Sequence, residues 1–273
     1  MSLRLYTADE LIPAVPPPGG APARQAPTTQ VLVQVDEWPG NAFRLWLPEH
    51  VGQIWGNWQA DVAHQDFAQT QQGGLIWTFT SASSVRIEAE ATPCDRILTL
   101  AVRITNGSDQ ALHDMTVANC IQFLLAPEFA CGDLSRIFIR ASGEWQSLRV
   151  LEPRSDYPHF FRHGSRPADG KVGWGGELGH LIESTEADHP LIVCVATDGR
   201  RCVGTASDDY AHLFHNRANP NLWCIHSTQS AVPVVEQGHT ATFCQRVYFV
   251  DGGLTECIGA YEEATSGDDA RCI

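Results

Sequence analysis

Hydrophobic positions recur at every second residue over much of this chain. Val31, Val33 and Val35 are separated by Leu32 and Gln34, and Val85, Ile87 and Ala89 alternate with Arg86, Glu88 and Glu90. Leu98, Leu100, Val102 and Ile104 repeat the period. A two-residue period puts alternate side chains on opposite faces of a pleated strand. Apolar runs at 42–47, 51–58, 75–80, 115–125, 137–139, 148–151, 191–196 and 240–250 predict further strands. Asn106-Gly107 gives a hairpin-type turn signal. Only 254–264 has helical spacing, with Leu254, Ile258 and Tyr261 on one side and Glu262 and Glu263 on the other. Many short strands and one terminal helix predict an all-β fold, a large antiparallel β-sandwich or barrel.

Pro, Ala and Gly dominate 11–29, which cannot be a helix or a central strand. The expected organisation is an N-terminal arm over 1–30, one sandwich domain over 31–265 and a short tail over 266–273. A long loop is expected over 155–176, and loops of that length in compact domains often carry function.

Composition narrows the partners. The net charge is -14, and Lys171 is the single lysine among 273 residues, so no basic footprint for nucleic acid is present. No apolar run approaches a membrane span, and the first ten residues carry Arg4, Asp9 and Glu10 rather than a secretion signal. A cytoplasmic location is expected. The nine cysteines include no Cys-x-x-Cys pair and several lie in apolar runs, which favours buried reduced thiols. A homo-oligomer is left open.

The candidate chemistry is densest at 210–227, which holds Tyr210, His212, His215, Asn216, Arg217, Trp223 and His226 around an Asn219-Pro220-Asn221 turn. Strand, turn, strand would bring imidazoles, a guanidinium and an indole together. Imidazole suits proton transfer at neutral pH, so His226, His212, His215, His64 and Tyr210 are the catalytic candidates. Arg217, Arg162, His159, His163, Trp58, Trp223 and Asn216 are the candidates for binding substrate. Indole rings pack on the apolar faces of sugars, and Arg pairs with carboxylates. On a strand, His212 and His215 would point to opposite faces, whereas on a turn they could converge. Converging imidazoles, with His159 or His163, could hold a divalent metal, but no carboxylate or cysteine pair accompanies them, so no cofactor is assigned.

Two stretches carry a family resemblance. One runs through 98–109 and on to Met115-Thr-Val-Ala-Asn-Cys-Ile-Gln-Phe123; the other joins Leu222-Trp-Cys-Ile-His226 to Thr242-Phe-Cys-Gln-Arg-Val-Tyr-Phe249. In strand order they resemble the galactose mutarotase-like supersandwich of aldose epimerases and polysaccharide lyase domains. The resemblance implies a carbohydrate or sugar-acid ligand. It also implies that the family's acid histidine falls at Asn119-Cys120 and its base glutamate near Ile225-His226. Here the first position is Cys120 and the second has an imidazole in place of a carboxylate, which argues against ordinary sugar mutarotation.

The leading expectation is an enzyme using histidine acid/base chemistry on a sugar or sugar acid, epimerase- or lyase-like. The alternatives are a carbohydrate-binding module without chemistry and a metal-dependent protein with histidine ligands.

Overall fold

The computed structural model describes residues 2–7, 30–52, 55–56, 67–151, 159–163, 181–182, 185–216, 223–230 and 232–266, with the backbone alone at 55–56, 159–160, 162, 181–182 and 216. In chain order the strands are β1 (Leu3–Thr7), β2 (Gln30–Val35), β3 (Ala42–Val51), β4 (Trp55–Gly56), β5 (Ala68–Gln69), β6 (Leu75–Thr80), β7 (Val85–Cys94), β8 (Ile97–Asn106), β9 (Leu112–Met115) and β10 (Val117–Gln122). They continue as β11 (Ile137–Ala141), β12 (Glu144–Ser147), β13 (His159–Arg162), β14 (Leu181–Ile182), β15 (Leu191–Val195), β16 (Arg201–Ser207), β17 (Tyr210–Asn216), β18 (Cys224–Gln229), β19 (Val232–Val235) and β20 (Thr240–Asp251).

Two large sheets face each other. The first has the order β1-β2-β3-β10-β18-β17-β13-β14, with β4 on β3. The second has the order β12-β11-β15-β16-β20-β8-β7-β6-β5. Pairing is antiparallel except between β13 and β14. This is the large antiparallel sandwich that the alternation predicts. A 13-residue helix, Leu254–Ser266, packs on the outer face of the second sheet.

Burial follows the pleat. Val31, Val33 and Val35 of β2, Phe43 and Leu45 of β3, Ile121 of β10 and Ile225 of β18 point from the first sheet into the core. Ile87, Ala89, Leu100, Val102, Val247 and Phe249 meet them from the second sheet. An aromatic cluster fills one part of the interior. The Phe43 ring lies 5.0 Å from Phe129, 5.3 Å from Phe249 and 6.1 Å from Phe123. Trp38 stacks on Phe129 and donates its indole N–H to Asp251 at 2.8 Å. On the far side of the second sheet, Cys202, Tyr248 and Val250 pack against Cys257 and Ala260 of the helix. Gly204 permits that approach, since a Cβ there would lie 2.7 Å from Cys257 Sγ.

Several expectations are corrected. The first strand, Leu3–Thr7, pairs with β2, so the sheet begins inside the stretch read as an arm. Residues 148–151 form one turn of helix rather than a strand. β8 does not turn back on itself at Asn106-Gly107. Asn106 instead bonds the backbone of Gln110 and Val235, and β9 leaves to pair with β19. Within the expected loop 155–176, His159–Arg162 is a strand on β17. The Asn219-Pro220-Asn221 turn lies outside the described residues. Among the described residues seven cysteines are free thiols, but Cys244 is disulfide-bonded. Among the described residues, no helix is long and apolar enough to cross a membrane.

Truncating Phe43 to Ala should cost about 3–5 kcal/mol, as for large buried aromatics generally, read as a lower denaturant midpoint at an unchanged slope. A second prediction concerns His189, whose ring lies between Trp145 and Tyr261 at 5.1 and 4.8 Å. Its Nδ1 accepts the Leu191 N–H, and burial, reinforced by the Arg140 charge and opposed by Asp188, pushes its pKa down to about 4. The unfolded chain takes this proton near pH 6.5 and the folded chain only near 4. Stability should therefore fall as pH drops through that window, by about 1–2 kcal/mol after allowance for partial solvent screening. Unfolding of His189→Gln should show a flatter pH dependence between those limits.

Candidate functional site

The central strands β10 and β18 of the first sheet are buried on both faces, and their second face is largely polar. Register sorts its side chains into rows. Leu32 pairs with Arg44, Arg44 with Gln122, and Gln122 with Cys224. One step along, Gln30 pairs with Trp46 and Trp46 with Cys120. His226, two residues beyond Cys224 on the same face of β18, pairs with Phe214. Trp46, Cys120 and Cys224 form a buried cluster separate from the main core. Two-residue alternation accounts for this division, since Leu45, Ile121 and Ile225 take the core side of the same strands.

His226 is the centre of the face. It is 1% exposed, and its ring stacks on Phe214 with centroids 3.7 Å apart. Its Nε2 lies 3.0 Å from Cys224 Sγ. Its Nδ1 lies 3.6 Å from Glu49 Oε2. Glu49 reaches this face because β3 bulges. His50 pairs with Ala118 and Trp46 with Cys120, so three residues of β3 stand opposite Asn119 alone. Such irregularities re-aim side chains, and Pro48 is tolerated there because the ladder is already broken. The thiols of Cys120 and Cys224 and an imidazole nitrogen of His226 all lie within 4.8 Å of one another.

Burial sets the electrostatics. It holds His226 well below the usual histidine range, helped by neighbouring His50 and His215 and opposed by the Asn119 carbonyl. Burial also lowers His50 to about 3. Cys120 is pushed well above the ordinary thiol range by burial, then by the adjacent Cys224 thiol and the Glu49 charge. Arg44 is lowered by burial and raised by Cys120. Arg44 makes no ion pair among the described residues. Among the described residues its Nε, Trp46 Nε1, Gln122 Oε1 and Thr228 Oγ1 are buried without hydrogen-bond partners. On the core side Asn119 donates to Gln245 at 2.8 Å, and Gln245 donates to Thr205 at 2.7 Å, tying the first sheet to the second.

The sequence candidates divide between the faces. His226 is on the polar face, and His212 shares it by register, opposite Thr228. His215 pairs with core residue Ile225 and is 1% exposed, so β17 keeps it apart from His212 as strand geometry requires. An all-imidazole metal set is therefore not assembled by these two. Tyr210 is also turned to the core, where its hydroxyl donates to the Ala187 carbonyl at 3.0 Å and burial raises its pKa. His163 packs edge-on against Tyr210 at 4.8 Å. Trp223 is half-buried against the core, and its carbonyl accepts the Phe123 N–H. His159, Arg162 and Asn216 have strand backbone positions, and Arg162 stands opposite His212. His64, Trp58 and Arg217 lie outside the described residues.

Sequence reasoning did not single out Arg44, Trp46, Glu49, Gln122 or Cys224 as site residues. Cys224-x-His226 carried a usable signal, because residues two apart on a strand share a face. Glu49 carried none, since a bulge decides where it points.

No family model and no curated protein matches the chain. Solved structures do. The α-N-acetylgalactosaminidase NagBb from Bifidobacterium bifidum, in complex with GalNAc, matches with a TM-score of 0.53 at 10% identity over 89% of this chain and 36% of that one. A galactose mutarotase related enzyme from Lactobacillus acidophilus gives 0.49 at 9% identity, covering 84% and 93%. A galactose mutarotase-like protein from Lactobacillus casei gives 0.48 at 9% identity, covering 83% and 95%. The likeness is one of fold: the chain shares a large antiparallel β-sandwich architecture with part of NagBb.

The buried amide bridge gives a direct test. Gln245→Leu leaves the Asn119 amide and the Thr205 hydroxyl without this partner, and should lower stability by about 1–3 kcal/mol in thermal or denaturant unfolding.

Proposed function

We propose that the protein binds and converts a carbohydrate or sugar acid on the polar face of the first sheet, with proton transfer centred on His226. The observation that carries this reading is the set of buried polar atoms without partners on that face, from Arg44, Trp46, Gln122 and Thr228. Each such atom costs about 1–3 kcal/mol if left unsatisfied. A polyhydroxylated ligand offers donors and acceptors in the density needed to satisfy them. Trp46 supplies an indole for the apolar C–H face of a sugar ring. Arg44 supplies a guanidinium for a hydroxyl or carboxylate. The large antiparallel sandwich shared with NagBb supports a sugar as the ligand class.

The chemistry follows from the other end of the row. Glu49 lies on the Nδ1 side of the His226 ring, and Nε2 lies 3.0 Å from the Cys224 thiol. A proton leaving a sugar carbon beside a carbonyl or carboxylate passes to this centre, while Arg44 stabilises the negative charge that develops. Return of the proton to the other face gives epimerisation, and loss of the neighbouring oxygen substituent gives elimination.

The test is a panel of neutral sugars and sugar acids followed by NMR in heavy water, which detects deuterium entering at carbon, and by ultraviolet absorbance of a new double bond. Arg44→Gln should weaken binding about tenfold or more, in line with loss of a charged hydrogen bond. His226→Ala should lower turnover about 100-fold or more, within the usual range for an acid/base group, while affinity changes little. Turnover and affinity both unchanged in His226→Ala would remove the assignment. Binding that depends on Trp46 with no conversion of any sugar would leave a carbohydrate-binding module.

A further inference from the structure

We propose that Cys120, Cys224 and His226 form a zinc site with an open fourth position on the polar face of the first sheet. The inference deepens the reading above and rests on it only for the ion's part in catalysis; the geometry stands by itself. Three donor atoms from two adjacent strands lie within 4.8 Å of one another, all from buried residues. Tetrahedral zinc, with Zn–S near 2.3 Å and Zn–N near 2.0–2.1 Å, sets ligand atoms about 3.4–3.8 Å apart. The Cys224 Sγ to His226 Nε2 distance of 3.0 Å needs only a small expansion to reach this.

The donor set selects the ion. Two thiols and an imidazole are soft to borderline ligands, which exclude magnesium and calcium and favour zinc or cuprous copper. Burial then chooses between those two. Two thiolates balance the charge of Zn2+, whereas Cu+ would leave a net negative charge in a dry site. Each thiol gives up its proton as its sulfur–zinc bond forms, so loading releases two protons and involves no oxidation or reduction.

The remaining surroundings fit the same ion. Glu49 stands 3.6 Å from His226 Nδ1, on the side of the ring where a carboxylate would accept the Nδ1 proton of a ligating imidazole after a small approach. Phe214, stacked on the ring at 3.7 Å, holds it in plane. Among the described residues three ligands converge, which leaves a fourth position for water or substrate, the pattern of reacting rather than structural zinc. With the ion present, the Nε2 lone pair is used in ligation. His226 would then hold the ion rather than take the proton itself, and its loss would still remove the centre.

The experiment is metal analysis of the purified full chain, followed by chelation and titration with zinc or cobalt. The expected result is about one zinc per chain, with cobalt giving thiolate charge-transfer absorption and the visible bands of tetrahedral coordination. Cys120→Ser, Cys224→Ser and His226→Ala should each weaken zinc binding 100-fold or more, and Glu49→Gln 10- to 100-fold. Exposed Cys94→Ser should bind as the unaltered chain does. Cobalt spectra of the unaltered protein keep the test open if a variant fails to fold. No retained ion and no thiolate–cobalt band would overturn the proposal, as would a Cys120–Cys224 disulfide in the purified chain. Sugar conversion by a chain that binds no zinc would sink the ion and leave the function; tight zinc with no sugar bound would do the reverse.

Discussion

A strand covered on both sides has no solvent face on which to hide a polar side chain. The first sheet meets this constraint along its central strands, β3, β10, β18 and β17. One side of each strand supplies hydrocarbon to the space between the sheets. The other must carry whatever the chain places at the alternate positions, and here those are Arg44, Trp46, Cys120, Gln122, Cys224 and His226. Burying such groups is costly unless something satisfies them. Fold and site are therefore one problem in this protein. The pleat that fills the core with Val, Ile, Leu and Phe also gathers the polar remainder on one surface.

The two sheets are joined by more than hydrophobic contact. Asn119, Gln245 and Thr205 form a buried chain of side-chain hydrogen bonds across the core. Its first member lies beside Cys120, in the irregular part of the β3–β10 pairing. Buried polar networks of this kind fix one arrangement of facing layers where apolar packing alone would admit several. The same stretch thus sets the relative position of the sheets and the position of the thiols.

Much of the architecture was legible in the sequence. The alternation of β2, β7 and β8 and the helical spacing at the C-terminus needed no tertiary information. The exceptions have physical causes. Residues 148–151 are apolar enough for a strand, yet a four-residue run does not distinguish a strand from a helical turn. Asn106-Gly107 carries hairpin residues, but the Asn106 amide is used to tie the turn to β19 instead. For the site, the resemblance set the family's acid and base positions at Cys120 and near Ile225-His226 without giving either residue a role; the Cys120 thiol and the His226 ring lie within 4.8 Å of each other. Sequence spacing could not show that Tyr210 and His215 face the core, because a register shift in β17 sets which residues share a side. Nor could it bring Glu49 to His226, since that approach depends on a bulge rather than on a repeating pattern.

The helix Leu254–Ser266 covers the side of the second sheet turned away from the first. The molecule consequently has a back as well as a front. A tether, dye or solid support joined to the outward edge of that helix would stand behind both sheets, so the protein could be anchored there without touching its buried thiol–imidazole cluster.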